Sequence, residues 1–495
     1  MDGDDGTWRL DASVGDVIFD TGGLRDDHDG DIIIGGGHFV RFDFDWELGS
    51  GGDIDMNGTS TTVAELDGPG TAMITGDISA EGQSNLDTDL IFNPAADVST
   101  VDADTVLKLG VQTTDLITYH GGDFTGPGKI RQNGDATVTN GSTVNISVDT
   151  FDFDGTTVSD TTIENGATMH ITSNTLNDTV SGNLIVNGTL NMDLSTSSSW
   201  DLDGSLVVNG GGVVDGVELN LNGALSTAVG GTGIINAPLD IGSNSSLEIT
   251  AASDNLNLNG TTIWGGPTSV TGLGDIVQNG DATFTSNTTI SVGSYNMDGS
   301  GSTAITVNPS VHVTLNVNSI DQTDGFDGTL NLNSGLIEVN TSAPWSMEGT
   351  TNMDTASGTA HIDGQTLEIA GTIHATGGGT AHLDSDVVMQ PGAHVNVASD
   401  TKLQLDGTIS FTGGTISTAP ASTVSPAVSR VELNGFTNYD GGTLTVNGVV
   451  WQDGDATVNT ATTITGDHFD MDLSLIHISE PTRRTPSSYA VFCLK

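Results

Sequence analysis

The hexapeptide Gln-Asn-Gly-Asp-Ala-Thr fills residues 132–137, returns unchanged at 278–283, and returns at 452–457 as Gln-Asp-Gly-Asp-Ala-Thr. A Gly-Gly pair precedes every copy, and a run of aromatic, polar, apolar and Asp residues follows it. The final Asp of that run stands at position 154 in the first copy, at 298 in the second and at 472 in the third, so the spacing is nearly constant. Because three copies share one frame, the sequence indicates a repeat protein.

A finer period lies between the second and third copies. Gly-Thr-Ala-His-Ile-Asp at 358–363 recurs as Gly-Thr-Ala-His-Leu-Asp at 379–384. Four glycines follow nearly the same period: Gly328, Gly349, Gly371 and Gly392. Apolar and polar residues alternate between the turns, as at 219–221 and 256–258, and no window has the spacing of an amphipathic helix. The sequence therefore predicts an all-β chain, a β-solenoid with coils of about 21 residues.

One coil of this length holds three short strands and cannot bury its own apolar side chains. Stacked coils, with strands about 4.8 Å apart, close the backbone hydrogen bonds and form a continuous core. We expect apolar residues at alternating strand positions to point into that core. Five of them are Leu330, Leu332, Ile373, Val395 and Val397.

Three kinds of short motif carry a resemblance to a known class: Asn-Gly-Thr-Leu at 187–190, Gly-Ala-His-Val-Asn-Val at 392–397, and Trp-Asp-Leu-Asp-Gly at 200–204. They resemble the single-stranded right-handed parallel β-helix that forms the passenger region of autotransporter-like and filamentous bacterial surface adhesins. The resemblance covers nearly all of residues 90–472. It implies a secreted or cell-surface structural or adhesive rod, with glycans, a host or neighbouring cell surface, or further coils of its own longer chain as partners.

The chain is predicted to have three parts. Residues 1–89 form an irregular N-terminal part of the solenoid, because the runs that start at Trp8 and Trp46 match later strand-and-turn runs. Residues 90–472 form the regular solenoid, interrupted by a proline-containing insertion at 419–429 that we expect to bulge as a loop.

The third part, residues 473–495, interrupts the repeat. Glycine follows the aromatic-to-Asp run in the first two copies, whereas the third copy continues with Leu-Ser-Leu-Ile-His-Ile-Ser-Glu-Pro. This segment is similar to the translation of a sequencing-library adapter and holds the only cysteine, Cys493. We expect it to be a non-native, unstructured tail. The expected protein is then a fragment of a longer secreted one.

The amino-acid composition limits which binding partners are possible. The chain has 11 Lys and Arg against 64 Asp and Glu, a formal charge of −53. Phosphate binding needs clustered Lys and Arg, so nucleic acid and anionic membranes are excluded as partners. The acidic N-terminus does not have the pattern of a signal peptide, and no 18-residue apolar run is present, so no membrane insertion of this segment is expected. The polar composition also fits a disordered chain, but the alternation of apolar residues favours a folded one.

Histidine spacing suggests a metal site. His361 and His382 occupy the same place in two successive copies of the short motif, and His374 and His394 are separated by nearly the same interval, so two short ladders are expected on neighbouring faces. Imidazoles about 5 Å apart can share a transition metal. The alternative is simple repetition of a surface residue.

Carboxylates raise the possibility of a polysaccharide lyase or hydrolase, because such enzymes need paired acids, or an acid with a base nearby. Lys129, Arg131 and Asp135 are the one neighbourhood in the sequence where bases adjoin an acid. Asp135 recurs in the other copies but the bases do not, so a turn role is favoured and no catalytic residue is assigned. A cluster of acids, bases and aromatics on one face would favour the enzyme, and an even distribution would favour the rod.

The densest acidic run offers four metal candidates, which are Asp26, Asp27, Asp29 and Asp31. The run does not fit an EF-hand loop, because Arg25 stands where the first ligand is needed. A solvated turn is therefore favoured, and no cofactor is required. Rows of Asp on stacked turns are nevertheless expected to bind Ca²⁺ weakly, with millimolar affinity.

Overall fold

A computed structural model describes residues 9–12, 15–19, 27–28, 30–112, 114–153, 159–176, 180–195, 199–228, 230–297, 303–320, 326–419, 429–471 and 476–477. This part of the chain is all-β and contains no helix. The chain divides into two compact units. The first comprises Met1–Thr329 with Val339–Ser342, and the second comprises Leu330–Glu338 with Ala343–Lys495.

Most strands of the first unit are short. They are β1 (Arg9–Ala12), β2 (Val17–Phe19), β3 (Asp27–His28), β4 (Asp31–Gly35), β5 (Phe39–Phe42), β6 (Trp46–Leu48), β7 (Asp53–Asn57), β8 (Val63–Ile74), β9 (Asp77–Glu81), β10 (Gln83–Phe92), β11 (Asp97–Thr100), β12 (Val106–Leu109), β13 (Leu116–Tyr119), β14 (Gly122–Gln132), β15 (Asp135–Val138), β16 (Thr143–Asp152), β17 (Thr161–Ile163), β18 (Thr168–Ile171), β19 (Thr175–Leu176), β20 (Asn183–Val186), β21 (Thr189–Met192), β22 (Ser199–Leu202), β23 (Ser205–Val208), β24 (Val213–Gly216), β25 (Glu218–Leu221), β26 (Ala224–Thr227), β27 (Gly231–Ile235), β28 (Leu239–Ile241), β29 (Ser246–Ile249), β30 (Asp254–Leu258), β31 (Thr262–Trp264), β32 (Ser269–Gly272), β33 (Asp275–Gln278), β34 (Ala282–Phe284), β35 (Thr288–Ser291), β36 (Ser294–Asn296), β37 (Ala304–Val307) and β38 (His312–Asn316).

Two strands contain residues of both units: β39 (Thr329–Asn333) and β40 (Leu336–Asn340). The second unit continues with β41 (Trp345–Met347), β42 (Thr350–Asp354), β43 (Ala360–Gly364), β44 (Leu367–Ile369), β45 (Thr372–Thr376), β46 (Thr380–Leu383), β47 (Val387–Met389), β48 (His394–Val397), β49 (Lys402–Leu405), β50 (Ile409–Phe411), β51 (Gly414–Thr418), β52 (Arg430–Leu433), β53 (Thr437–Tyr439), β54 (Gly442–Gln452), β55 (Ala456–Val458), β56 (Thr462–Met471) and β57 (Ile476–His477).

Both units are parallel β-solenoids with three strands in most coils. In the first unit β20 pairs in parallel with β23, and β23 with β26, so that Leu184, Leu206 and Leu225 lie in one column. In the second unit β44, β47 and β50 form one ladder in the same way. About 19 coils follow one another at intervals of roughly 22 residues. The predicted parallel β-solenoid is confirmed, with coils slightly longer than the expected period.

Alternating strand positions form the core, as the sequence predicts. The side chains of Leu330, Leu332 and Ile373 are 0% exposed, and those of Val395 and Val397 are 3% exposed. Ile373 and Val395 are register partners on successive coils. The apolar layer of each coil therefore covers the layer of the previous one, which a single coil could not do.

Long strands turn a corner of the coil at glycines. In β14 the register shifts between Gly126 and Lys129, and in β54 it shifts between Val446 and Val449. Gly126 has φ +117°, and a Cβ there would lie 2.1 Å from the backbone oxygen of Thr100. Only glycine therefore fits at this corner.

The repeated hexapeptide begins with a buried amide. Gln132, Gln278 and Gln452 are at most 2% exposed. Each accepts a hydrogen bond from a buried tyrosine hydroxyl at 3.3, 3.4 and 3.0 Å, and the donors are Tyr119, Tyr295 and Tyr439. Each also donates through Nε2 to a threonine hydroxyl at 2.7, 3.1 and 3.0 Å, on Thr161, Thr262 and Thr437. The repeat thus preserves a buried polar network as well as a turn.

This network is stable only if the tyrosine hydroxyls stay protonated and both ends of each amide have hydrogen-bond partners. Burial raises the pKa of each of the three tyrosines, so their hydroxyls stay protonated and can donate. A buried amide costs free energy unless its oxygen and nitrogen both find partners, and here they do. Because the partners sit on particular strands, the network favours one register of the coils over its neighbours.

Turn residues connect one coil to the next. Asn209 donates to Asn187 at 2.7 Å, and Asn279 donates to Asn259 at 2.6 Å. Asp135 Oδ1 accepts a hydrogen bond from the backbone N–H of Asp160 at 2.9 Å, and Asp281 plays the same part toward Ala304. In the first two copies the recurring Asp of the hexapeptide therefore holds the following coil from a position at, or just before, the start of a strand.

Three further predictions from the sequence concern the tryptophan runs, the insertion and the C-terminal segment. Trp46 begins β6 and Trp345 begins β41, as expected of strands that end in a turn, whereas Trp8 lies outside the described residues. Across the insertion β49 pairs directly with β52, so the coil continues on both sides of residues 420–428, which are not described. Of the segment 473–495 only Ile476–His477 is described, and its backbone pairs with β55. The rest of that prediction lies outside the described residues.

Candidate functional site

One ladder of the second unit gathers acids, bases, amides and aromatics. Its strands are β43, β46, β49, β52 and the end of β54, and their register is continuous. The outward positions that lie above one another form the mixed-charge column: His361, His382, Gln404, Glu432 and Trp451. The next outward position lies two residues further along the chain, just after the ends of β46, β49 and β52. The residues at this position form the flanking column: Asp384, Asp406 and Asn434.

Each histidine of the column contacts an aspartate of the next coil. His361 Nε2 is hydrogen-bonded to Asp384 Oδ2, and His382 Nδ1 lies 3.2 Å from Asp406 Oδ2. The two imidazole centroids are 5.4 Å apart. This confirms the predicted ladder of His361 and His382.

Asp406 has the most contacts in the flanking column. Burial alone would raise the pKa of its carboxyl, but hydrogen bonds from Asn434 and His382, and the contact with Asp384, hold that pKa below the usual value. Asn434 Nδ2 donates to Oδ1 at 2.7 Å, while Oδ2 faces His382. The carboxylate is therefore ionised and held in one orientation.

Glu432 is the centre of a second group of contacts, which lies further along the mixed-charge column. Its side chain is only 7% exposed and accepts from Arg430 Nε at 2.5 Å and from Gln404 Nε2 at 2.6 Å. Lys402 Nζ lies 3.4 Å away. Burial would raise the pKa of Glu432, but these hydrogen bonds and the two cations lower it. The Arg430 guanidinium also lies 4.1 Å from the ring centroid of Trp451, a cation–π distance.

The second predicted histidine ladder is wrong. His374 is the register partner of Asn396, and His394 is the partner of Thr372, so the two imidazoles stand in different columns. The interval between the two histidines is shorter than the local coil, because His394 stands two positions before the residue that pairs with His374. His374 instead lines an open depression of about 310 Å³ with Asn396 and other residues.

The predicted acid–base neighbourhood also needs correction. Lys129 Nζ and Arg131 Nε lie 3.1 and 3.4 Å from Asp152 Oδ2, on the next coil, and the Asp152 side chain is 1% exposed. Asp135, the first residue of β15, joins neither base in these ion pairs. Lys129 and Arg131 are moreover not alone in adjoining an acid, because the fold brings Lys402, Arg430 and Glu432 together.

The acidic run is only partly described. Asp26 and Asp29 lie outside the described residues, and of Asp27 only the backbone in β3 is described. Asp31 begins a row of exposed aspartates on successive coils, here named the acidic column: Asp31, Asp53, Asp77, Asp97 and Asp123. Burial and the neighbouring acids raise the pKa of Asp53 and Asp97. The members are unevenly spaced along the chain, which hides this row in the sequence.

Comparison with known proteins gives no family. Neither protein-family models nor curated protein sequences match this chain. Among the described residues, no helix has the length and apolar character needed to cross a membrane. The function is therefore inferred from the arrangement of the side chains in the mixed-charge column and its flank.

Proposed function

We propose that this protein is an extracellular or cell-surface repeat protein with a structural and adhesive role, and that the mixed-charge column is its contact surface. The observation that carries the proposal is the column itself, where charged, amide and aromatic side chains follow one another on five successive strands. A repeat fold that presents such a row offers an extended binding surface.

Glycans on a host or neighbouring cell are the partners that suit this chemistry. Sugar hydroxyls need both donors and acceptors, and the amides of Gln404 and Asn434 supply them. Trp451 adds an amphipathic aromatic surface. The strong negative charge of the chain disfavours polyanionic glycans, so neutral or amino sugars fit best.

The test is binding of the full chain to a panel of immobilised neutral, amino and acidic glycans and to intact cells. Trp451→Ala should abolish most of the binding. Phe436→Ala is the matched control, because Phe436 is 45% exposed but lies outside the column, between β52 and β53. Equal binding by both variants would remove the mixed-charge column as the contact surface.

A carbohydrate-active enzyme is the second candidate, and one observation favours it: acids and bases cluster on one ladder. Asp384 and Asp406 are close enough for their ligand oxygens to lie within 4.8 Å, near the separation of about 5–5.5 Å that retaining glycosidases use. The discriminating assay is release of new sugar ends from the glycans that bind. Release that is lost in Asp406→Asn would support the enzyme, and binding without release would support the adhesive role.

A further inference from the structure

We propose that the second unit carries a transition-metal site formed by His382, Asp384 and Asp406, with His361 as a neighbouring fourth ligand. One ligand atom of each of the first three residues lies within 4.8 Å of the others. The His361 ring centroid is 5.4 Å from that of His382, and His361 already contacts Asp384. Three successive coils thus supply one nitrogen-and-oxygen set to a single point on the surface.

The ligand types select the metal. Imidazole nitrogen suits Zn²⁺, Ni²⁺ and Cu²⁺, whereas sites for Ca²⁺ and Mg²⁺ consist of oxygens. Zn²⁺ accepts both imidazole nitrogen and carboxylate oxygen, usually in four-coordinate sites with metal–ligand distances of about 2.0–2.2 Å. No cysteine stands among the described residues, so no thiolate competes with the imidazoles for the metal in that part of the chain.

The ligands can close on an ion with small movements. His382 and Asp406 are 27% and 34% exposed, so their side chains can rotate by the ångström or so that the shorter metal distances require. The backbone does not need to move, because the strands are held in parallel register on both sides.

A supporting contact prepares one ligand. Asn434 Nδ2 holds Asp406 Oδ1 at 2.7 Å, which leaves Oδ2 directed toward His382 and the proposed ion. Outer contacts of this kind fix the orientation of metal ligands, and their loss typically weakens binding by about 10–100-fold. The asparagine is thus expected to contribute to affinity without touching the metal.

The sequence of the next coils provides conservative variants. Gln404 stands one coil after His382 in the same column, and Asn434 stands one coil after Asp406. His382→Gln and Asp406→Asn therefore place at each position a residue that the same ladder already accommodates. Both variants should fold, which thermal unfolding followed by circular dichroism will verify.

The experiment is calorimetric titration of the full chain with ZnCl₂ in the presence of excess MgCl₂, which occupies sites made of carboxylates alone. We expect Zn²⁺ binding to survive the Mg²⁺ and to weaken at least about tenfold in His382→Gln and in Asp406→Asn. His374→Gln, on the adjacent ladder of the same coils, is the matched control and should bind as the wild type does.

Two results would overturn the proposal. One is loss of Zn²⁺ binding when Mg²⁺ is added, which would leave only diffuse attraction to the acidic surface. The other is an equal effect of His374→Gln and His382→Gln. Neither result decides glycan binding, because the residue that tests glycan binding, Trp451, is not among the proposed metal ligands.

Discussion

The acidic column of the first unit and the mixed-charge column of the second each stand on a ladder of parallel strands, but they have opposite electrostatics. In the acidic column like charges repeat from coil to coil, and the pKa of Asp53 and Asp97 is raised by burial and by neighbouring acids. In the mixed-charge column and its flank, hydrogen bonds and cations overcome burial and lower the pKa of Asp406 and Glu432. The backbone thus sets which residues meet, and their identity sets whether they attract or repel.

The largest expected effect is common to both regions, because both share the same kind of core. Ile54→Asp, between Asp53 and Asp55, and Val395→Asp each place an unpaired charge among buried side chains. Each should cost several kcal/mol of stability, seen as a large drop in the melting temperature. Asn396→Asp, on the outward face beside Val395, is the control and should change the melt little. A mild effect of either core variant would mean that the strand faces are misassigned.

The buried glutamine network should give the next largest effect, again in both units. Gln452→Leu leaves the Tyr439 hydroxyl without its acceptor and should cost about 1–3 kcal/mol, and Gln132→Leu should act similarly through Tyr119. Replacing both partners, as in Gln452→Leu with Tyr439→Phe, should recover much of the loss, because the tyrosine hydroxyl then no longer remains buried without an acceptor. Chemical denaturation measures the three variants. Additive losses in the double variant would argue against the network.

The two columns should respond with opposite sign to removal of a charge. At pH 7, Glu432→Gln should destabilise by about 1.5–3 kcal/mol, because charged hydrogen bonds are lost. Asp53→Asn should stabilise by about 1 kcal/mol or less, because it relieves repulsion at the surface. Thermal unfolding of both variants provides the comparison.

The pH dependence should separate the two columns further. The folded pKa of Asp53 is raised above its ordinary value of 3.8, so its stabilising contribution is full below that value and is lost as pH rises through the folded pKa. The folded pKa of Glu432 is lowered from 4.5, so its contribution is present above 4.5 and is lost as pH falls through the folded pKa. The melting temperatures of Asp53→Asn and Glu432→Gln should therefore approach that of the wild type as the pH is lowered from 7 toward 3. For Asp53→Asn, a difference that persists at pH 3 would assign the effect to packing, because the folded pKa of Asp53 lies above 3.8.

The smallest expected effect is stabilisation by Ca²⁺. Several millimolar Ca²⁺ can bridge neighbouring carboxylates of the acidic column, and millimolar affinity for the folded form corresponds to about 1 kcal/mol. Melts in chelator and in Ca²⁺, at matched ionic strength, should differ by a few degrees, and less in Asp53→Asn. Equal midpoints would mean that simple screening by salt accounts for the acidic column.

The sequence predicted what depends on regular recurrence. The period, the three-strand coil and the buried Val395 follow from alternation and repeats, and the His361–His382 pair follows from identical motifs one coil apart. The histidine pair at 374 and 394 failed because its spacing is two positions short of the local coil interval. A small error in interval moves a side chain into another column.

What the sequence did not predict depends on contacts between unlike residues. Lys402 and Glu432 meet because β49 pairs with β52 across the insertion, and no repeated motif marks that contact. The buried Gln132 did carry a signal: it stands two positions after Ile130, on the same inward face of the strand. Its hydrogen-bonded tyrosine, Tyr119, belongs to a different strand and could be found only in the fold.

The most direct test of the account is a pair of double-mutant cycles between residues on adjacent coils, measured by chemical denaturation at pH 7. One cycle combines Asp53→Asn with Asp77→Asn, and the other combines Lys402→Met with Glu432→Gln. We predict coupling energies of opposite sign, repulsive for the first pair and attractive for the second. Zero coupling in both cycles, or the same sign in both, would contradict the claim that side chains one coil apart are the interacting units of this protein.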